Sequence, residues 1–107
     1  MTGDLILIYM TCADEAEAQK IVTALLDERL IACANINAPH KALYNWKGKR
    51  EEGREVAVIM KTRAGLFGRA QEKARALHSY ECPCIVALPV VNGHGPFLDW
   101  IESETSA

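Results

Sequence analysis

At 107 residues, half of them hydrophobic and 24% charged, the chain has room for one packed domain, residues 1–107, and not for two. A net charge of −2 leaves no positive excess to neutralise phosphates, so no nucleic-acid partner is expected. No run approaches the ~18 consecutive apolar residues of a membrane span, so no membrane partner is expected either.

The opening stretch has no basic segment, and acids follow its short apolar run at once. It reads as a first strand, Leu5–Met10, rather than an export signal. A cytoplasmic location is therefore expected, with Cys12, Cys33, Cys82 and Cys84 as reduced thiols. The strand is apolar on both faces, Leu5, Leu7 and Tyr9 on one and Ile6, Ile8 and Met10 on the other. Asp14 is placed to N-cap a helix, with Glu17 three residues on completing a capping box. Ala18, Ile21, Val22, Leu25 and Leu26 follow the rhythm of one helix face.

Cys33 to Trp46 reads as a long second strand. Cys33, Asn35 and Asn37 share one face, and Ala34, Ile36 and Ala38 the other. Pro39 cannot donate to a ladder and marks an edge or a bulge; beyond it Ala42, Tyr44 and Trp46 alternate. Lys47-Gly48-Lys49 reads as a turn, and Glu55–Lys61 as a third strand closing a hairpin. Leu66, Ala70, Ala74 and Leu77, with Phe67 beside them, outline a second helix that Gly68 weakens. Ile85–Leu88, between Pro83 and Pro89, is a fourth strand. Pro96 opens a short third helix, with Phe97, Trp100 and Ile101 as its inner face.

The order β-α-β-β-α-β with a terminal helix is the ferredoxin-like split βαβ plan of the α+β class. It yields a four-stranded antiparallel sheet with both main helices on one face. The other face is apolar too and has no cover within the chain. Such a surface calls for a partner, and identical copies are the simplest supply. The hairpin carrying Tyr44 and Trp46 is a natural arm for reaching a neighbour.

Three stretches then stand in a distinctive order: Ala32-Cys33-Ala34-Asn35-Ile36, Tyr44-Asn45-Trp46-Lys47-Gly48-Lys49, and His78-Ser79-Tyr80-Glu81-Cys82-Pro83 running into Ile85 and Leu88-Pro89. From Leu5 to about Ile101 the chain resembles the CutA family, the divalent-cation tolerance proteins. The resemblance implies a ferredoxin-like protomer in a tight homotrimer, sheets inward and hairpin arms exchanging edges. It also implies a role in tolerance of divalent metal ions, copper especially, a trimer similar to that of the PII signalling proteins, and no enzymatic activity. The chain departs from the family pattern at Met10, Leu77, Ser79 and Cys84, where some or many members carry Cys, His, Pro and Glu.

Copper is thus the one metal the resemblance suggests, and no resident cofactor is expected. His78 matches the family's histidine and is a candidate ligand, or else a cation at a helix C-terminus. Cys33 is a soft donor for Cu(I) or a core thiol. Cys82 and Cys84, stiffened by Pro83 and joined by Met10, suit a soft ion, or are ordinary thiols entering a strand. A PII-like regulatory trimer is the alternative function, with Lys61, Arg63 and Tyr80 as cleft residues. No nucleophile elbow, phosphate loop or metalloprotease motif is present, so an enzyme is not expected.

Overall fold

The computed structural model describes residues 4–105. The elements run β1 (Leu5–Cys12), α1 (Glu15–Asp27), β2 (Cys33–Ile36), β3 (His40–Trp46), β4 (Lys49–Arg63), α2 (Phe67–Leu77), β5 (Ile85–Pro89) and α3 (Gly95–Glu104), with a 3₁₀ turn at Ala64–Leu66 leading into α2. Five strands form one antiparallel sheet in the order β2-β4-β1-β5, and β3 also pairs with β4.

The strand expected from Cys33 to Trp46 is two strands, because the chain breaks register at Pro39. Ile36 lies opposite Val58 and His40 opposite Glu55. Four steps on one strand thus match three on the other, which is a one-residue bulge where proline cannot donate. The offset turns β3 over. Ala34 and Ile36 face the helices with Met60 and Val58, whereas His40, Ala42, Tyr44 and Trp46 share the opposite face with Glu55, Gly53, Glu51 and Lys49.

β4 is far longer than the expected Glu55–Lys61. Its first half, Lys49–Arg54, is charged and shows no apolar alternation, so only the pairing with β3 and the turn define it. The turn has two central residues, Lys47 at φ 49° and Gly48 at φ 81°. Positive φ at both positions matches the right-handed twist of the flanking strands. A Cβ at Gly48 would meet nothing within 4 Å, so the penalty for a side chain there is purely conformational. Gly48→Val is expected to destabilise the protein by about 1–2 kcal/mol, read as a lowered thermal midpoint without a change in secondary structure.

α1 begins as expected: Asp14 accepts from the Glu17 N–H at 2.8 Å. The return bond differs from a capping box, since Glu17 Oε1 accepts from the Ala13 N–H at 2.9 Å. The main core lies between α1, α2 and one sheet face, where Ile8, Met10, Ile21, Leu25, Val58 and Met60 are at most 1% exposed. Thr62, also buried there, donates its hydroxyl to the Leu30 carbonyl at 2.7 Å.

The opposite face is less bare than the sequence suggests. α3 seats Ile101 against Leu5 and Ala32, with Val90 and Leu98 packed around them. Arg63 ties this helix down by donating to the Glu102 carbonyl at 2.6 Å and the Thr105 hydroxyl at 2.8 Å. Phe97 and Trp100, expected on the inner face of α3, instead stack on each other at 5.6 Å and remain exposed. Leu7 and Tyr9 stay half-buried and Val86 and Leu88 are each 48% exposed, so the rest of the face is open.

Candidate functional site

α2 ends at His78, whose backbone turns extended and folds the imidazole back beneath the end of β1. The side chain is 0% exposed. Nδ1 accepts from the Tyr80 N–H at 3.1 Å, which places the ring proton on Nε2, donating to the Thr11 carbonyl at 2.7 Å. Both bonds orient the ring and neither leaves it free to swing.

Glu17 reaches the same spot from the first turn of α1. Beyond its bond from Ala13, Oε2 accepts from the Ser79 N–H at 2.7 Å. Oε1 stands 4.0 Å from His78 Nδ1. Burial pushes this carboxyl up, but the N–H groups of Ala13 and Ser79 and the nearby His78 outweigh it, so its pKa lies below the ordinary 4.5.

Cys12, the last residue of β1, is the third member. Fully buried, its thiol is pushed up to about 12, first by burial and then by Glu17, Asp14 and Glu55. It therefore persists as a thiol rather than a reactive thiolate. The ligand atoms of Cys12, Glu17 and His78 all lie within 4.8 Å of one another. In the sequence, Cys12 is one thiol among four and Glu17 a capping residue. What makes them a cluster is a meeting with His78 across more than sixty residues, which no local pattern encodes.

The other sequence-derived candidates lie elsewhere. Met10 is 0% exposed in the helix-covered core. Cys33 is half-buried and pairs with Lys61, on the opposite sheet face from Met10. Cys82 and Cys84 are exposed thiols on a groove of about 680 Å³ between the hairpin and the 80–84 segment. Tyr9, Tyr44, Trp46, Glu55 and Tyr80 line the same groove, and His40 Nε2 stands 3.7 Å from Glu55. Burial and Glu55 push the Cys84 thiol up, and burial followed by Glu55 pushes the Tyr80 hydroxyl up to about 12. Within one protomer these sulfurs and His78 therefore do not form a single coordination shell. Of the residues expected in a cleft between subunits, Lys61 bonds Asn35, Arg63 bonds α3, and Tyr80 lines the groove beside Thr11 and Glu55 of the same protomer.

The model of the CutA1 divalent ion tolerance protein family matches residues 6–104. The chain belongs to this family. The divalent-cation tolerance protein CutA of Pyrococcus horikoshii is 43% identical over 101 residues, 94% of this chain and 98% of that protein. The structure of the periplasmic divalent cation tolerance protein CutA from Archaeoglobus fulgidus is 41% identical, covers 94% of this chain and 97% of its own, and superposes with a TM-score of 0.90. The Cut A1 divalent cation tolerance protein of Thermus thermophilus is 36% identical over 95% of this chain and 99% of its own, with a TM-score of 0.93. These CutA relatives are named as tolerance proteins and not as enzymes. Among the described residues, no helix is long and apolar enough to cross a membrane.

Proposed function

We propose that this CutA-family chain works in the cytoplasm as a homotrimer of single-domain, ferredoxin-like protomers, contributes to tolerance of divalent cations including copper, and binds metal weakly in the clefts between its subunits. Family membership supports the tolerance role. The observation that carries the assembly is the open sheet face, where Val86 and Leu88 on β5 are each 48% exposed alongside half-buried Leu7 and Tyr9. An apolar face of this extent is a contact surface. The strand order β2-β4-β1-β5, with both main helices on one side, supports the ferredoxin-like plan.

The hairpin extends the surface, since Leu43, Tyr44 and Trp46 are 63%, 45% and 40% exposed. The soft donors within reach of a cleft are Cys82 and Cys84, the two thiols on the groove wall. Light scattering of the dilute protein is expected to give the trimer mass; a well-folded monomer overturns the assembly. Calorimetric titration of reduced protein with Cu(I) is expected to give weak binding that the Cys82→Ser/Cys84→Ser variant loses. Equal binding by that variant removes these ligands from the proposal.

A further inference from the structure

We propose that Cys12, Glu17 and His78 form a zinc-binding site inside each protomer, separate from the inter-subunit clefts and independent of the reading above. Three chain segments deliver the donors: the end of β1, the first turn of α1 and the residue that closes α2. Thiol sulfur, carboxylate oxygen and imidazole nitrogen together are a zinc donor set, whereas the carboxylate disfavours Cu(I).

The surroundings of each donor are those of a prepared ligand. A zinc-bound histidine characteristically donates its second ring N–H to a carbonyl or carboxylate, which fixes the tautomer and aims the free lone pair. His78 has the first half of this: Nε2–H is held by the Thr11 carbonyl, while Nδ1, 4.0 Å from Glu17 Oε1, still accepts from the Tyr80 N–H. The Glu17 carboxylate is itself fixed by two backbone N–H groups, from Ala13 and Ser79. Asp14 and Glu55 lie close enough to Cys12 to act on its charge, so the field there favours a cation.

Zinc bonds of about 2.0–2.3 Å place tetrahedral ligand atoms roughly 3.3–3.7 Å apart. Donors within 4.8 Å of one another thus close on an ion by a contraction of about 1 Å. Two bonds change. The Tyr80 N–H releases Nδ1, and the Cys12 S–H proton leaves to solvent as the sulfur bonds the metal. Thiolate and carboxylate then balance the double charge, and water fills the fourth position. Glu17, 12% exposed, is the side from which the ion enters.

The test uses the full chain, reduced and stripped of metal with a chelator, then titrated with Co(II) and displaced with Zn(II). A thiolate-to-cobalt charge-transfer band is expected, saturating at one ion per chain and abolished by zinc. Cys12→Ala is expected to lose the band. Glu17→Gln, which keeps the thiol and imidazole but removes a direct ligand, is expected to weaken binding by more than the roughly 10- to 100-fold that loss of an outer-shell partner costs. Zinc should raise the thermal midpoint of the wild type and not that of Cys12→Ala. The Cys82→Ser/Cys84→Ser variant should keep the band, so failure of the cleft proposal leaves this result untouched. No band in the wild type overturns the site, as does a band that survives Cys12→Ala and vanishes in the double serine variant. If Cys12→Ala does not fold by circular dichroism, Glu17→Gln decides: binding equal to wild type sinks the proposal.

Discussion

Replacing Val86 and Leu88 together with lysine is expected to abolish the proposed trimer. Both residues lie on β5 on the open sheet face, paired with Tyr9 and Leu7 of β1. In one protomer each is about half exposed, so lysine is accommodated there with its ammonium in water. In an assembly closed over that face, the same ammonium groups lose water without gaining partners. The effective penalty for an unpaired charge is several kcal/mol per ion, and a trimer repeats it in every subunit. Burying two aliphatic side chains contributes roughly 1.5–3 kcal/mol each, so the sign reverses at both positions. Sedimentation or light scattering should show the mass fall to that of a monomer, or the chain should unfold at concentrations where the wild type is folded. Gln19→Lys, on the exposed side of α1, is the charge control and should leave the mass unchanged. A double variant that stays trimeric with unaltered stability places the interface elsewhere.

The same face shows why much of the fold can be read from residues alone. β1 is apolar at every position from Leu5 to Met10, a pattern that has meaning only if both sides of the strand are buried. α1 and α2 carry apolar positions at helical spacing, and those positions lie in the core or pack against it, except Leu26, which the helix turns to solvent at 40% exposure. Where the reading fell short, the determinants were not hydrophobic. Lys49–Arg54 is strand because a two-residue turn with two positive φ values folds it onto β3, and charged residues leave no periodic trace of that. α3 faces the sheet through Ile101 rather than through its aromatic residues, because its contacts with Leu5, Ala32 and Arg63 set the helix rotation. Those partners lie in β1, in the bend before β2 and at the end of β4.

The site was less legible than the fold for a related reason. A ligand set is a statement about distance, and sequence order constrains distance only within a turn or a hairpin. Met10 and Cys12 are two residues apart, and both point into the helix-covered core. Only Cys12, one turn of strand nearer to α1, comes within reach of Glu17 and His78. The Cys82-Pro83-Cys84 segment looks the stronger metal motif on paper. Its thiols are exposed on the groove wall, and among the described residues they do not join the imidazole expected to accompany them in one group of ligand atoms. His78 itself was legible as the residue closing α2, but the three partners that hold it, Thr11, Tyr80 and Glu17, were not.

His78→Ala is expected to be the most damaging single change near the site, and Glu17→Gln to reveal its charge dependence, both in metal-free protein. Removing the buried imidazole leaves a cavity and strips a partner from the Thr11 carbonyl and the Tyr80 N–H. Together these cost about 3 kcal/mol or more at neutral pH. Glu17→Gln keeps one carbonyl oxygen for Ala13 but turns an amide toward the Ser79 N–H, losing a charged hydrogen bond of about 1.5–3 kcal/mol. The pH dependence separates the two. Because Glu17 titrates below its ordinary 4.5 when folded, the unfolded chain takes up this proton first as pH falls. Its contribution is therefore complete above the ordinary value and disappears as pH drops through the lower, folded one. Chemical denaturation at a series of pH values from 7 downward should show Glu17→Gln well below wild type at pH 7 and the two curves drawing together as pH falls below the ordinary 4.5. A gap of constant size across that range would mean that the carboxylate acts through shape alone, and that its bonds to Ala13 and Ser79 carry no charge-dependent stability.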